Sequence, residues 1–116
     1  MRRAAARLRH RETGRIIACR CQVAATFWSR LRGWIGERPV PGLALWLSSC
    51  RWIHTVGVRS PIDVVVCGRD GVVIKTVLRL PPNRIAGAPN ATTICELPVG
   101  SADGITPGDH VDLLSL

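Results

Sequence analysis

The sequence predicts a mainly β fold: a small β-barrel or sandwich of about six short strands, with one α-helix covering an opening. Three observations carry this. Short apolar, β-branched runs recur along the chain, clusters of Gly, Pro, Asn and Asp separate them, and one stretch alone changes to a helical period. A chain of 116 residues suits one domain, and 47% hydrophobic against 21% charged residues is enough to bury a core.

The elements follow in order. Residues 1–14 (MRRAAARLRHRETG) read as a basic, flexible N-terminal arm, and residues 15–116 as a single β-rich domain. RIIACRCQVA (15–24) is apolar and β-branched enough for a first strand. In ATFWSRLRGWIG (25–36), Phe27, Leu31, Trp34 and Ile35 share one helical face, Thr26 can cap the start and Gly36 the end. LALWLS (43–48) is a second strand. IDVVVC (62–67) is almost continuously apolar, which predicts burial on both faces. GRDG (68–71) is a turn in which Asp70 and Gly71 tolerate positive φ. VVIKTVLRL (72–80) alternates, placing Val72, Ile74, Thr76, Leu78 and Leu80 opposite Lys75 and Arg79. PPNRIAGAPN (81–90) reads as a loop, ATTICELP (91–98) as a strand, the Gly-, Pro- and Asp-rich stretch 99–109 as turns, and HVDLLSL (110–116) as the last strand.

Net charge is +8, and its placement matters more than its size. Residues 1–38 hold ten arginines against two glutamates, whereas residues 39–116 hold six basic residues against six acidic ones. The body is neutral, and the excess belongs to the N-terminal third. Arg2, Arg3, Arg7, Arg9 and Arg11 could hold nucleic acid or anionic lipid by charge alone, without aromatic residues among them for base stacking. No apolar stretch approaches the roughly 18 residues of a membrane span. No apolar segment of a secretory signal follows the basic start, so a cytoplasmic location is expected.

Five cysteines, at 19, 21, 50, 67 and 95, form no C-x2-C pair. An odd number without an export signal argues against a disulfide framework. Cys50-x3-His54 would supply two metal ligands, and the rest would have to come from Cys19, Cys21, Cys67, Cys95 or His110; two ligands do not make a site, so neither metal nor cofactor is expected. Cys50, His54 and Asp63 also have the residue types of a nucleophile, base and orienter. Asp63, at the head of an apolar strand, is too costly to bury alone and should be paired with Arg59 or a loop amide. Glu96, inside ICELP, should lie at a sheet edge or face a donor.

Taken together, RGWIGER, IHTVGVRSPIDVVVCGRDGVVI, LPPNRIA, ICELPVG and GITPGD resemble, in order and spacing, a bacterial and archaeal family known as domain of unknown function 192. The resemblance runs from about Ala24 to Leu113. It implies a small, compact, mainly β single domain, some relatives being exported, and it assigns no reaction, substrate or cofactor. Matching positions include His54, Gly57, Arg59, Pro61, Asp63, Gly71, Arg84, Glu96, Gly100 and Asp109. The chain departs at Val56 and Val58, where relatives often carry Phe and Met, and at Trp34, where Leu is usual. The expected function is a non-enzymatic domain that binds a small ligand or a protein partner near His54, Arg59, Asp63, Arg84 and Glu96. The alternatives are a thiol- and His-dependent hydrolase-like enzyme using Cys50 and His54, and a domain tethered to nucleic acid or membrane by its arginine-rich arm.

Overall fold

The computed structural model describes residues 2–24 and 41–115. The expected helix at 25–36 lies outside the described residues. Among those described, the fold is mainly β, as the sequence predicts, with nine strands rather than about six. They are β1 (Arg2–His10), β2 (Ile16–Ala24), β3 (Leu43–Ser48), β4 (Trp52–His54), β5 (Ile62–Cys67), β6 (Val73–Leu80), β7 (Ile85–Gly87), β8 (Thr93–Leu97) and β9 (Val111–Ser115).

Seven of these form one mixed sheet in the order β6-β5-β8-β3-β2-β1-β9, and β4 pairs with β7 in a separate ribbon. The sheet curls until its outer strands meet. Val72 bridges His110, Val73 N–H donates to the Asp109 carbonyl at 2.8 Å, and Gly108 N–H donates to the Val73 carbonyl at 2.9 Å. The result is a barrel-like sheet touching at one seam, not a fully closed barrel. Gly71 makes the seam possible: a Cβ there would stand 2.3 Å from the Val111 carbonyl oxygen, and its φ is +74°.

Residues 2–10, expected in a flexible arm, instead form strand β1 between β2 and β9. The arm is ordered because Leu8 is fully buried in the core and because ion pairs tie its end to the C-terminal strand. A charge count alone does not reveal this, since the partners lie at the far end of the chain.

The curled sheet has two apolar faces. The inner core draws on all seven strands, through Leu8, Cys21, Ala44, Val65, Cys67, Val73, Cys95, Leu97 and Val111, and adds Ala102 and Ile105 from the 98–109 turns. The outer core lies under the β4–β7 ribbon and includes Leu45, Leu47, Ile53, Val58, Ile62, Val64, Val66, Ala86 and Ile94. Strand β5 is buried at every position because it sits inside the sheet with a core on each face.

Asp63 interrupts that run. It is fully buried, and its register partner on β8 is Leu97. On the other side the β5–β6 pairing shifts: Ile62 faces Leu80 and Val64 faces Val77, so Asp63 alone stands against Leu78 and Arg79. This is a β-bulge, and Arg79 adopts φ +53° within it. This bulge and a second register shift, between Val66 and Cys67, break the expected alternation of β6, leaving Leu78 51% exposed while Val73 is buried. Asp63 Oδ1 accepts the Arg79 N–H at 3.0 Å, and Oδ2 accepts Gly100 N–H at 2.9 Å and Ala102 N–H at 3.1 Å. One carboxylate therefore closes the bulge and anchors the 98–105 turn over the inner core. Asp63→Asn replaces one acceptor oxygen by an NH2 facing amide donors. We expect it to lower stability by about 2–3 kcal/mol in urea unfolding without changing the slope, the typical cost of losing buried hydrogen bonds to a charged group.

Candidate functional site

The ribbon, whose β7 half lies in the stretch 81–90 that reads from sequence as a loop, carries two large exposed apolar side chains, Trp52 and Ile85. Trp52 pairs with Gly87, Ile53 with Ala86 and His54 with Ile85. Side chains alternate across such a ribbon. Ile53 and Ala86 face inward to the outer core, and Trp52, His54 and Ile85 face solvent. Trp52 is 54% exposed, Ile85 72% and Val56, just beyond the strand, 56%. The Trp52 ring lies against Gly87: a Cβ on Gly87 would stand 2.7 Å from Cε3 and 2.0 Å from the Arg51 carbonyl oxygen. The glycine is what lets the two short strands come together under the indole.

Thr55 fixes the ribbon's far end. It is fully buried, its hydroxyl donates to the Pro81 carbonyl at 2.7 Å, and the same oxygen accepts Arg84 N–H at 2.8 Å. Its own N–H donates to the Arg84 carbonyl at 2.8 Å, and its carbonyl accepts Asn83 N–H at 3.1 Å and Val58 N–H at 3.2 Å. The Thr of the His-Thr motif is thus the structural member, and the His beside it is exposed. His54 makes no side-chain hydrogen bond or ion pair among the described residues, and neither does Arg59, which lies exposed in the following turn. Arg84 is exposed too, with Nη1 donating to the Asn83 carbonyl at 3.2 Å.

The five residues expected around one site do not all converge. Asp63 and Glu96 lie on neighbouring strands but on opposite faces: Asp63 pairs with Leu97, an inner-core residue, while Glu96 pairs with Val64, an outer-core residue. Glu96 is 3% exposed on central strand β8, so the edge alternative does not hold. Asp63 bonds loop amides, as one of its two expected partners required, and Arg59 is not among them. His54, Arg59 and Arg84 remain at the surface, around the ribbon.

The thiols follow burial. Cys21, Cys67 and Cys95 are buried, Cys19 is exposed, and no two are joined. Burial pushes the Cys21 thiol up to about 12. A hydrogen bond with the neighbouring Cys67 thiol, together with burial, drives Cys95 well above its ordinary range. Cys50 Sγ donates to the Trp52 carbonyl at 3.3 Å. With its carboxylate on three amides, Asp63 is not in place to orient His54, so the residue types of a thiol–His–Asp centre are present without its arrangement.

The basic arm is also partly engaged. Arg9 Nη2 pairs with Asp112 at 3.0 Å, and Arg11 binds the same carboxylate through Nη2 at 2.7 Å and Nε at 3.2 Å. The Arg11 hydrogen bonds, with help from Arg9, lower the Asp112 carboxyl to about 2.

No protein-family model matches the chain, and no curated protein matches it. Two solved structures share its fold. One is a candidate transcription regulator from Sinorhizobium meliloti 1021, 18% identical, with a TM-score of 0.79 over 95% of this chain and 92% of that one. The other is a protein of unknown function from Novosphingobium aromaticivorans DSM 12444, 18% identical, with a TM-score of 0.78 over 93% of this chain and 83% of that one. At this identity they establish the architecture. Among the described residues no helix is long and apolar enough to cross a membrane.

The Asp112 network sets an acid limb of stability. Its folded pKa lies below that of an unfolded aspartate, so the unfolded chain takes up the proton first. The contribution is complete above roughly pH 4 and is lost as pH falls towards 2. Because the pair lies at the surface, Asp112→Asn should lower neutral-pH stability by about 1 kcal/mol or less. It should also flatten the acid limb, as read by unfolding midpoints across that range.

Proposed function

We propose that the protein is a non-enzymatic protein-binding domain of the domain of unknown function 192 family, and that it docks its partner on the outer side of the β4–β7 ribbon. The observation that carries this reading is the concentration of Trp52, Val56 and Ile85 there, each more than half exposed. A ribbon of three-residue strands, packed below by Ile53 and Ala86, presents them on a fixed support. Large exposed apolar side chains on a small domain mark an interaction surface, and Trp and Arg are the residues that most often dominate binding energy. Exposed Arg51, Arg59 and Arg84 flank the ribbon in the chain, while the nearest acidic residues, Asp63 and Glu96, are buried. The surface therefore fits a peptide or loop with an apolar anchor and acidic neighbours. His54, at its centre, contacts the partner directly; Asp63 acts only through the fold, and Glu96 supports the sheet beneath the ribbon.

Tethering through the arm has less support, because residues 2–10 are a strand paired on both edges and Arg9 and Arg11 share the Asp112 carboxylate. The solved neighbour described as a candidate transcription regulator makes nucleic acid the reading to test against. A photo-crosslinking side chain at position 54 should trap a protein that the same side chain at exposed Lys75 does not trap. Trp52→Ala with Ile85→Ser should remove that product without shifting the melting temperature by more than about 2 °C, since both side chains are exposed. Equal capture at the two positions, or a product removed by nuclease, overturns the reading.

A further inference from the structure

A second cluster of chemistry-bearing side chains lies at the seam of the sheet, in residues the binding face does not use. His10 ends β1, Glu12 follows in the turn, and Asp109 lies two residues before β9. We propose that His10 Nε2 and one carboxylate oxygen each of Glu12 and Asp109 form a site for a divalent transition-metal ion of the zinc class.

The three ligand atoms lie within 4.8 Å of one another. His10 Nε2 stands 2.8 Å from Asp109 Oδ2 and 3.8 Å from Glu12 Oε1. Ligands about 2.1 Å from a tetrahedral ion stand roughly 3.4 Å apart, so small side-chain rotations convert this set into a coordination shell. Imidazole with two carboxylates suits zinc, cobalt, nickel or iron better than calcium or magnesium, which take oxygen alone.

The surroundings hold each ligand as metal sites require. His10 is 3% exposed, and its Nδ1 lies 2.9 Å from Thr13 Oγ1, the partner that holds Nε2 towards the carboxylates. The turn carrying these residues is closed by His10 N–H to the Arg15 carbonyl at 2.8 Å and Gly14 N–H to the His10 carbonyl at 2.8 Å. Asp109 Oδ2, the oxygen beside His10 Nε2, also accepts the Thr106 N–H at 3.0 Å and its hydroxyl at 3.2 Å, which holds the carboxylate in place. Glu12 is oriented by His110, whose N–H donates to Oε1 at 2.8 Å and whose Nδ1 meets Oε2 at 2.6 Å. Arg9 and Arg11 are both turned to Asp112, and with Glu12 and Asp109 the charges of these five groups sum to −1.

Three protein ligands leave at least one position for water or an external group. The site also joins the end of β1 to the residue leading into β9, the strand with which β1 pairs, beside the seam where the barrel-like sheet meets itself. An ion there would bind the folded chain and not the unfolded one, and so would stabilise it in proportion to the logarithm of metal concentration.

The test is calorimetric titration of the full chain, stripped of metal by chelator, with zinc chloride near neutral pH. Cobalt(II) absorption and melting curves are recorded on the same samples. We expect one ion per chain and a melting temperature that rises with zinc. Cobalt should give ligand-field bands without the charge-transfer band of a thiolate. Glu12→Gln, at an exposed position, should weaken binding at least tenfold while the metal-free melting temperature stays close to that of the parent. Asp109→Asn should weaken it comparably, and Cys19→Ser should leave it unchanged. Absence of saturable binding at millimolar zinc overturns the proposal. So does binding indifferent to both carboxylate substitutions, or a cobalt spectrum whose thiolate band disappears with Cys19.

Discussion

A single buried carboxylate organises this molecule. Asp63 sits in a strand whose other five residues are apolar and buried, and it accepts three backbone N–H groups from two separate segments. Burying a carboxylate is costly unless its oxygens are matched, so the segments that supply the donors are held to that point. One segment is the β6 bulge, where Arg79 takes a left-handed conformation that a non-glycine residue rarely adopts unaided. The other is the 98–105 turn, which delivers Ala102 and Ile105 to the inner core. Remove the acceptor and the bulge, the turn and part of the core lose a common tie.

The same constraint sorts the segment His54–Asp63 into buried and exposed residues. Thr55 and Asp63 point into the protein and hold backbone; His54 and Arg59 point out. Because Asp63 and Glu96 lie on opposite faces of the sheet, the two carboxylates do not share one cleft, and Trp52 and Ile85 stand exposed on the outer side of the β4–β7 ribbon. Its support is economical: Gly87 admits the Trp52 ring, and Thr55 clamps the other end.

Much of the fold was legible in the sequence because strand signals are local. LALWLS and IDVVVC coincide with β3 and β5 residue for residue, and the Asp70–Gly71 turn has the positive φ that its residues allow. What escaped was short or long-range. WIH and IAG are three residues each, too few to establish a period, so the ribbon read as loop although it carries the exposed Trp52 and Ile85. Strand β1 read as an arm because Arg9 and Arg11 looked like unmatched charge until Asp112 stood beside them. The His10–Glu12–Asp109 cluster had no motif at all, since only the pairing of β1 with β9 brings the two ends of the chain together. For Asp63 the need for a partner was readable and the identity of the partner was not, because the bulge and the turn donate from distant segments.

The most direct test of this account is amide hydrogen exchange, resolved by residue, in the parent chain and in Asp63→Glu, which keeps the charge but displaces the oxygens. The account predicts that the amides of Arg79, Gly100 and Ala102 exchange slowly in the parent. In the variant these three should accelerate together, ahead of their neighbours, while the amides of the β4–β7 ribbon keep their rates. Fast exchange at those three positions in the parent, or a change in the variant centred on the ribbon, would contradict it.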